Sequence, residues 1–395
     1  MSDRAKIVLK SGKDQSIMRF HPWIFSGAIK KSYGNLLEGN VVDVYDNKDN
    51  FLGCGHYQIG SIAVRVLSFT PRTINEDFYR ERLATAHDVR QILLANMPET
   101  DVYRLVHGEG DNLPGLIIDI YGDTAVVQMH SVGMFTDKEH ISNALQNVYG
   151  ESLKHIYCKS NATLPKKALE NETKDMFLLG DKEHGVVQEY GIKYHINWLE
   201  GQKTGFFVDQ RENRRLVGLY AKNRTVANVF GYTGGFSLFA MKHGAKKVHT
   251  IDSSAKAIDL TAENVELNFG KEHNHQGIAA DAFDFFANAT DTYDLIILDP
   301  PAFAKHHNVL SNALQGYKRI NQRAFENIGK NGILLTFSCS QAVSPMNFRK
   351  SVFAAAANAK RKVRILHQLT QPADHPVNIF HPEGEYLKGL VLHVE

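Results

Sequence analysis

Two residues in the second half of the chain have types and placement suited to shared chemistry. Cys339 lies in Phe337-Ser338-Cys339-Ser340, and Asp299 opens Asp299-Pro300-Pro301-Ala302-Phe303. A thiolate is a strong nucleophile, and with a carboxylic acid beside it conjugate addition to an electron-poor ring becomes feasible. Addition to carbon 6 of a pyrimidine makes carbon 5 enamine-like, able to attack an electrophilic methyl group. A carboxyl hydrogen-bonded to ring nitrogen 3 stabilises that adduct. The prolines after Asp299 fix the backbone and remove two N–H donors, so the carbonyls and the carboxyl are presented rigidly. Each feature also has a plainer reading. Cysteine is a common buried residue, and Pro-Pro often terminates a strand. The polar neighbours Ser338 and Ser340 and the strand-end position favour chemistry. Cys54 lies in the β-rich N-terminal segment and Cys158 follows the apparent strand Lys154–Tyr157, and both read as structural. There is no Cys-x-x-Cys and no zinc spacing. The 19 histidines show no His-x-x-x-His, so no metal is expected.

A cofactor site is the second candidate. Phe230-Gly231-Tyr232-Thr233-Gly234-Gly235 joins an apparent strand to an apparent helix. Glycine there permits a tight turn and close approach of a ligand. Asp252, followed by Ser253, ends the next strand, where a carboxylate can accept ribose hydroxyls. A dinucleotide would need Gly-x-Gly-x-x-Gly to cradle its pyrophosphate. Thr233 occupies the place of the second glycine, so that match fails. S-adenosylmethionine has no phosphate and tolerates the looser loop. Asp281-Ala282, at a third strand end, can take the adenine amino group, and Asp299 and Pro300 close the set. Phe207 and Gln210, in the segment before the first cofactor strand, are further candidates for the pocket.

These residues need a scaffold that brings strand ends together. From about residue 186 an expected hairpin is followed by alternating strands and helices, which predicts a parallel, doubly wound sheet. Ligands of such sheets bind beyond the carboxyl ends of the strands, at the topological switch point. Residues 1–75 read as short strands broken by Gly, Asn and Asp, a small β-barrel. Residues 76–96 have helical spacing, and two strands follow, joined by a turn at Asp111–Gly115. The expected division is a β-barrel at 1–75, an α+β domain at 76–185 and an α/β domain at 186–395. The 395 residues, 43% hydrophobic, are enough for that. Net charge is +2, but residues 1–75 hold 10 Lys or Arg against 6 Asp or Glu, a mild local excess. No apolar run is long enough for a transmembrane helix and the N-terminus lacks an apolar signal core, so a cytoplasmic location is expected.

Several segments together resemble one family. Gln202–Arg211, Phe230–Ser237, Asp299–Phe303, Gly316–Asn321, Phe337–Ser340, Ala373–Val377 and Pro382–Leu390 closely resemble bacterial cytosine-5 methyltransferases acting on 23S ribosomal RNA. His21–Ile29 is similar to the start of that family's N-terminal PUA domain, an RNA-binding β-barrel, and Gly108–Asp123 to its central segment. The resemblance implies a class I, Rossmann-like S-adenosylmethionine methyltransferase domain. It implies Cys339 as nucleophile, Asp299 as its partner and large-subunit 23S ribosomal RNA as substrate, with no membrane partner. A homodimer stays open.

Two departures stand out. Gly231 occupies a position where Cys or Ser is expected. Many related enzymes carry a second cysteine after strand four, but the segment through Ala302 and Phe303 has none, which leaves unassigned the base that resolves the adduct. Two other functions stay open: amino-methylation of an RNA base through Asp299-Pro300-Pro301, and a non-catalytic RNA-binding assembly factor. Tyr317 and Lys318 are read as a surface helix or an RNA contact. Asp374 and His375 are read as a turn or a substrate contact.

Overall fold

In the strand Val41–Tyr45 alternate residues are buried, Val42 and Val44 facing inward. That period of two gives a sheet with one wet face. The computed structural model describes residues 4–165, 174–303 and 310–395; the remaining residues of the expected domains lie outside this description. The chain divides into two compact units. One comprises 1–191, 196–208 and 373–384, and the other 192–195, 209–372 and 385–395.

Among the described residues the first unit holds two large sheets. A six-stranded sheet has the order Trp23–Phe25, Ile62–Ser68, Phe51–Tyr57, Val41–Tyr45, Lys6–Leu9, Ile29–Tyr33. It curls around Ile7, Leu9, Ile24, Val42, Val44, Val64 and Val66. Its first and last strands are not hydrogen-bonded neighbours, so the expected barrel is an open, curled half-barrel. A five-stranded sheet follows, with Thr124–Met129 at its centre, packed with helices Glu76–Leu94 and Lys138–Tyr149.

The returning segment 373–384 is fastened to this unit by charge. Arg90 is buried, pairs with both oxygens of Asp111 at 2.5 and 2.7 Å, and donates to the Asp374 carbonyl at 3.0 Å. The Asp374 carboxylate accepts the Arg104 N–H at 3.1 Å and lies 2.9 Å from His375 Nδ1. Asp374 and His375 are both about 1% exposed, which supports the turn-holding reading over contact with substrate.

Among the described residues the main sheet of the second unit has seven strands, β1 (Thr225–Val229), β2 (Lys247–Asp252), β3 (His275–Ala279), β4 (Tyr293–Leu298), β5 (Ile328–Ser338), β6 (Val363–Leu369) and β7 (Lys388–Val394). Its helices are α1 (Arg211–Ala221), α2 (Gly235–Lys242), α3 (Ala255–Phe269), α4 (Ala282–Asn288), α5 (Leu310–Asn327) and α6 (Pro345–Asn358). The order is β3-β2-β1-β4-β5-β7-β6. β3 through β5 pair in parallel, as the alternation predicts, but β7 runs antiparallel to both β5 and β6. The sheet is therefore mixed, which corrects the wholly parallel expectation. A hairpin return into β7 needs no crossover helix, so a period of alternating helix and strand cannot reveal it. Among the described residues no helix is long and apolar enough to cross a membrane.

Candidate active site at the carboxyl edge of the sheet

The order reverses between β1 and β4, and the polar residues collect there. Parallel register places Val229 beside both Ile251 and Leu298, and Leu298 beside Thr336. The residues that follow these strands (the Phe230 loop, Asp252, Asp299 and Cys339) therefore all leave from one edge, where such sheets bind ligands.

The glycine loop has little spare room. Phe230, Tyr232 and Gly234 all have positive φ, at 63°, 46° and 81°. A Cβ on Gly231 would lie 2.3 Å from Thr250 Cγ2, and one on Gly234 would lie 2.6 Å from Thr261 Cγ2. Gly231 N–H donates to the Ile251 carbonyl at 2.9 Å, which ties the loop to β2. Thr233 is buried, its carbonyl accepting from Asn264 Nδ2 at 3.1 Å. Gly235 starts α2, and a Cβ there would press on the Arg214 side chain at 3.0 Å.

The Asp252 carboxylate accepts the Tyr232 N–H through Oδ2 and the Ser254 N–H through Oδ1, each at 3.0 Å. It is thus locked across the mouth of the loop. Each oxygen keeps a lone pair for a ribose hydroxyl. Ser253 beside it is exposed. Asp281 caps α4, Oδ1 accepting from Phe283 N–H at 2.7 Å and Asp284 N–H at 3.3 Å, while Ala282 is buried behind it. A tight glycine-bearing turn with an oriented carboxylate at the next strand end fits an adenosine.

At the end of β4, Asp299 Oδ2 accepts from Gln210 Nε2 at 3.1 Å, and Gln210 Oε1 accepts from Asn213 Nδ2 at 2.6 Å. Burial pushes the Asp299 carboxyl up to about 7, and the like charge of Asp209 adds to this. The Gln210 hydrogen bond and the Arg214 charge oppose the rise without cancelling it. A carboxyl so placed is a neutral hydrogen-bond donor for much of the time near neutrality. Pro300 is buried next to it, and Pro301 is exposed. Phe207 falls in the first unit, half-buried between buried Phe206 and Val208.

Cys339, half-buried, follows β5 between buried Ser338 and Ser340. Tyr317 from α5 is fully buried, its hydroxyl 2.9 Å from Ser340 Oγ and its ring 4.7 Å from that of Phe303. Tyr317 thus joins the ends of β4 and β5, which overturns its reading as a surface residue. Cys54 and Cys158 differ from Cys339 in being fully buried. Burial raises both thiols, that of Cys158 to about 11. Neither is a ready thiolate.

Two further residues at this edge, Asp209 and Lys388, were not singled out from the sequence. Asp209 accepts from the Tyr386 hydroxyl at 2.6 Å. Lys388, which opens β7, is only 8% exposed. A lysine heading the otherwise apolar run Gly-Leu-Val-Leu is unusual enough to have flagged it. Away from this edge, His21 Nε2 and His381 Nε2 lie 3.6 and 3.8 Å from Glu383 Oε2, imidazole–carboxylate contacts packed on Trp23.

Comparison with known proteins agrees with this geometry. Residues 7–69 match the model of a PUA-like domain, and residues 172–382 match that of an S-adenosylmethionine-dependent methyltransferase. The chain is 40% identical to a ribosomal RNA large subunit methyltransferase I from Aeromonas salmonicida, covering 98% of each. It is 36% identical to one from Escherichia coli O139:H28, covering 98% of this chain and 99% of the other. A candidate methyltransferase solved with S-adenosylhomocysteine superposes with a TM-score of 0.84 at 26% identity, covering 98% of this chain and 99% of the other.

Proposed function

Because this chain belongs to the S-adenosylmethionine-dependent methyltransferases of the ribosomal RNA large subunit methyltransferase I family, we propose that it methylates carbon 5 of a cytosine in 23S ribosomal RNA. The observation that carries the reading is Asp299. Nitrogen 3 of a neutral cytosine accepts hydrogen bonds, so its partner must be protonated. The Asp299 carboxyl, raised to about 7, supplies such an acid one strand away from the Cys339 thiol.

The cytosine leaves its stack to reach the sheet edge, which is least costly in a single-stranded loop. Cys339 thiolate attacks carbon 6 and a C–S bond forms. The carbon 5–carbon 6 electron pair shifts toward nitrogen 3, which takes the Asp299 proton. S-adenosylmethionine, when bound, would supply the electrophilic methyl group that carbon 5 takes, leaving a neutral thioether. Asp299, now a carboxylate, pairs with the protonated nitrogen 3 and recovers its proton. A base removes the carbon 5 proton, the double bond re-forms, and the C–S bond breaks to return the thiolate. Ala302 and Phe303 carry no group able to act as that base. In this reading the Gly231–Gly235 loop, Asp252, Ser253, Asp281 and Ala282 hold the adenosine, with Gln210 and Pro300 lining the pocket.

We assign 1–75 as the RNA-docking segment, 76–185 as the central domain and 186–395 as the methyltransferase domain. Action on ribosomal RNA supports a cytoplasmic location. Phe20 and Phe25, about half-exposed, lie among exposed Lys10, Lys13, Arg19 and Lys30, a combination of ring faces and positive charge suited to single-stranded RNA. Trapping on RNA containing 5-fluorocytosine tests the mechanism. Fluorine cannot leave carbon 5 as a proton does, so the thiol route leaves a stable protein–RNA adduct at Cys339. Turnover of that RNA with no adduct favours amino-methylation through Asp299-Pro300-Pro301.

A further inference from the structure

Lys388 stands at the head of β7, and the ladder pairs it with Ser338, the residue before Cys339. Its Nζ donates to the carbonyl of Ser340, the residue after Cys339, at 2.6 Å, and to the Tyr386 carbonyl at 2.7 Å. The ammonium is therefore tied across the short turn that presents the thiol. Both acceptors are carbonyls, which leave the full positive charge in place. A buried ammonium is costly unless a negative group faces it.

We propose that Lys388 is the positioning residue that makes Cys339 a nucleophile, its buried ammonium holding the side chain as a thiolate. This rests on the reading of Cys339 as the attacking group. Among the described residues, charged and titratable groups face this spot from three elements. Cys339 comes from the end of β5, Glu385 from the approach to β7, and Tyr317 reaches Ser340 from α5. Asp299 is engaged elsewhere, with Asp209, Gln210 and Arg214. Burial lowers the Lys388 ammonium to about 8, and the charges of Cys339 and Glu385 oppose that fall. The lysine is therefore charged at neutral pH, when the thiolate is needed. On activation the S–H bond breaks, the proton leaves to solvent and the electron pair stays on sulfur. When the C–S bond of the adduct later breaks, the pair returns to sulfur and the ion pair is restored.

The test is the pH dependence of iodoacetamide alkylation at Cys339, followed by peptide mass spectrometry on the full chain without RNA. Wild-type Cys339 is expected to titrate about one unit or more below the ordinary thiol value of about 8.5. Lys388→Met restores the ordinary value and slows alkylation near neutrality about tenfold or more. Lys388→Arg keeps the wild-type profile. A wild-type thiol titrating at or above about 8.5 overturns the proposal, whether or not Lys388→Met folds. So does a Lys388→Met profile that coincides with wild type. The readout does not depend on turnover. A fully active Cys339→Ala enzyme would therefore end the catalytic reading while leaving the lysine's effect on the thiol measurable. An unshifted thiol in an enzyme that Cys339→Ala inactivates would remove only the role of Lys388.

Discussion

At the scale of single residues, Asp299 makes the sharpest prediction. Its folded-state pKa of about 7 is raised by burial and by Asp209, above an unfolded value of about 3.9. The folded protein then binds the proton more tightly than the unfolded chain. Stability contributed by that proton is present at low pH and is lost as pH rises from about 4 through about 7. Asp299→Asn removes the ionisation. It is expected to raise the melting temperature at pH 8, with the difference vanishing toward pH 4, while methyl transfer falls by about 10² or more. A melting curve unchanged at pH 8 would contradict a strained carboxylate there. Cys339 and Asp299 were legible in the sequence because each stands at the end of a recognisable strand beside polar or proline neighbours. Lys388 and Asp209 were not, and Tyr317 was read in the wrong place, because their partners are set by tertiary packing. The contact of Lys388 with Ser340 spans 48 residues, and that of Tyr386 with Asp209 spans 177.

At the scale of elements, the β1–α2 turn is where the backbone itself forms the site. Gly231→Ala would push a methyl group against the buried Thr250 side chain, and Gly234→Ala would add one where φ is 81°. Each is expected to destabilise the protein by about 1–3 kcal/mol. Each should also weaken S-adenosylmethionine binding measured by calorimetry about tenfold or more, since it displaces Tyr232 from Asp252. Cofactor binding unchanged in both variants would separate this loop from the pocket. Eight of the second unit's elements (β1, α2, β2, α3, β4, α5, β5 and α6) were readable from the alternation of apolar strands with amphipathic helices. β7 was not, because Gly389–Val394 is a short apolar run at the chain end with no flanking helix to mark it as a strand. The missing strand matters, since β7 is the element that carries Lys388 to the thiol.

At the scale of the whole molecule, sequence order conceals which segments belong together. Residues 373–384 lie far along the chain yet cluster with the first unit, held by Arg90 and Arg104 through Asp374. Neither arginine has a local pattern that announces a partner 284 or 270 residues away. The division of labour makes its own prediction. Replacing Phe20 and Phe25 with alanine should weaken binding to ribosomal RNA fragments about tenfold or more, with cofactor affinity unchanged. RNA affinity equal to wild type would move the docking surface elsewhere.

The central claim is that Cys339 forms a covalent bond to a cytosine. Its most direct test is methyl transfer to 23S ribosomal RNA lacking its own modifications, comparing wild type with Cys339→Ala and identifying the product by nuclease digestion and mass spectrometry. The account predicts 5-methylcytosine from wild type and none from the variant, with both binding S-adenosylmethionine equally. A variant that retains full activity, or a wild-type product methylated on an exocyclic amine, would contradict it.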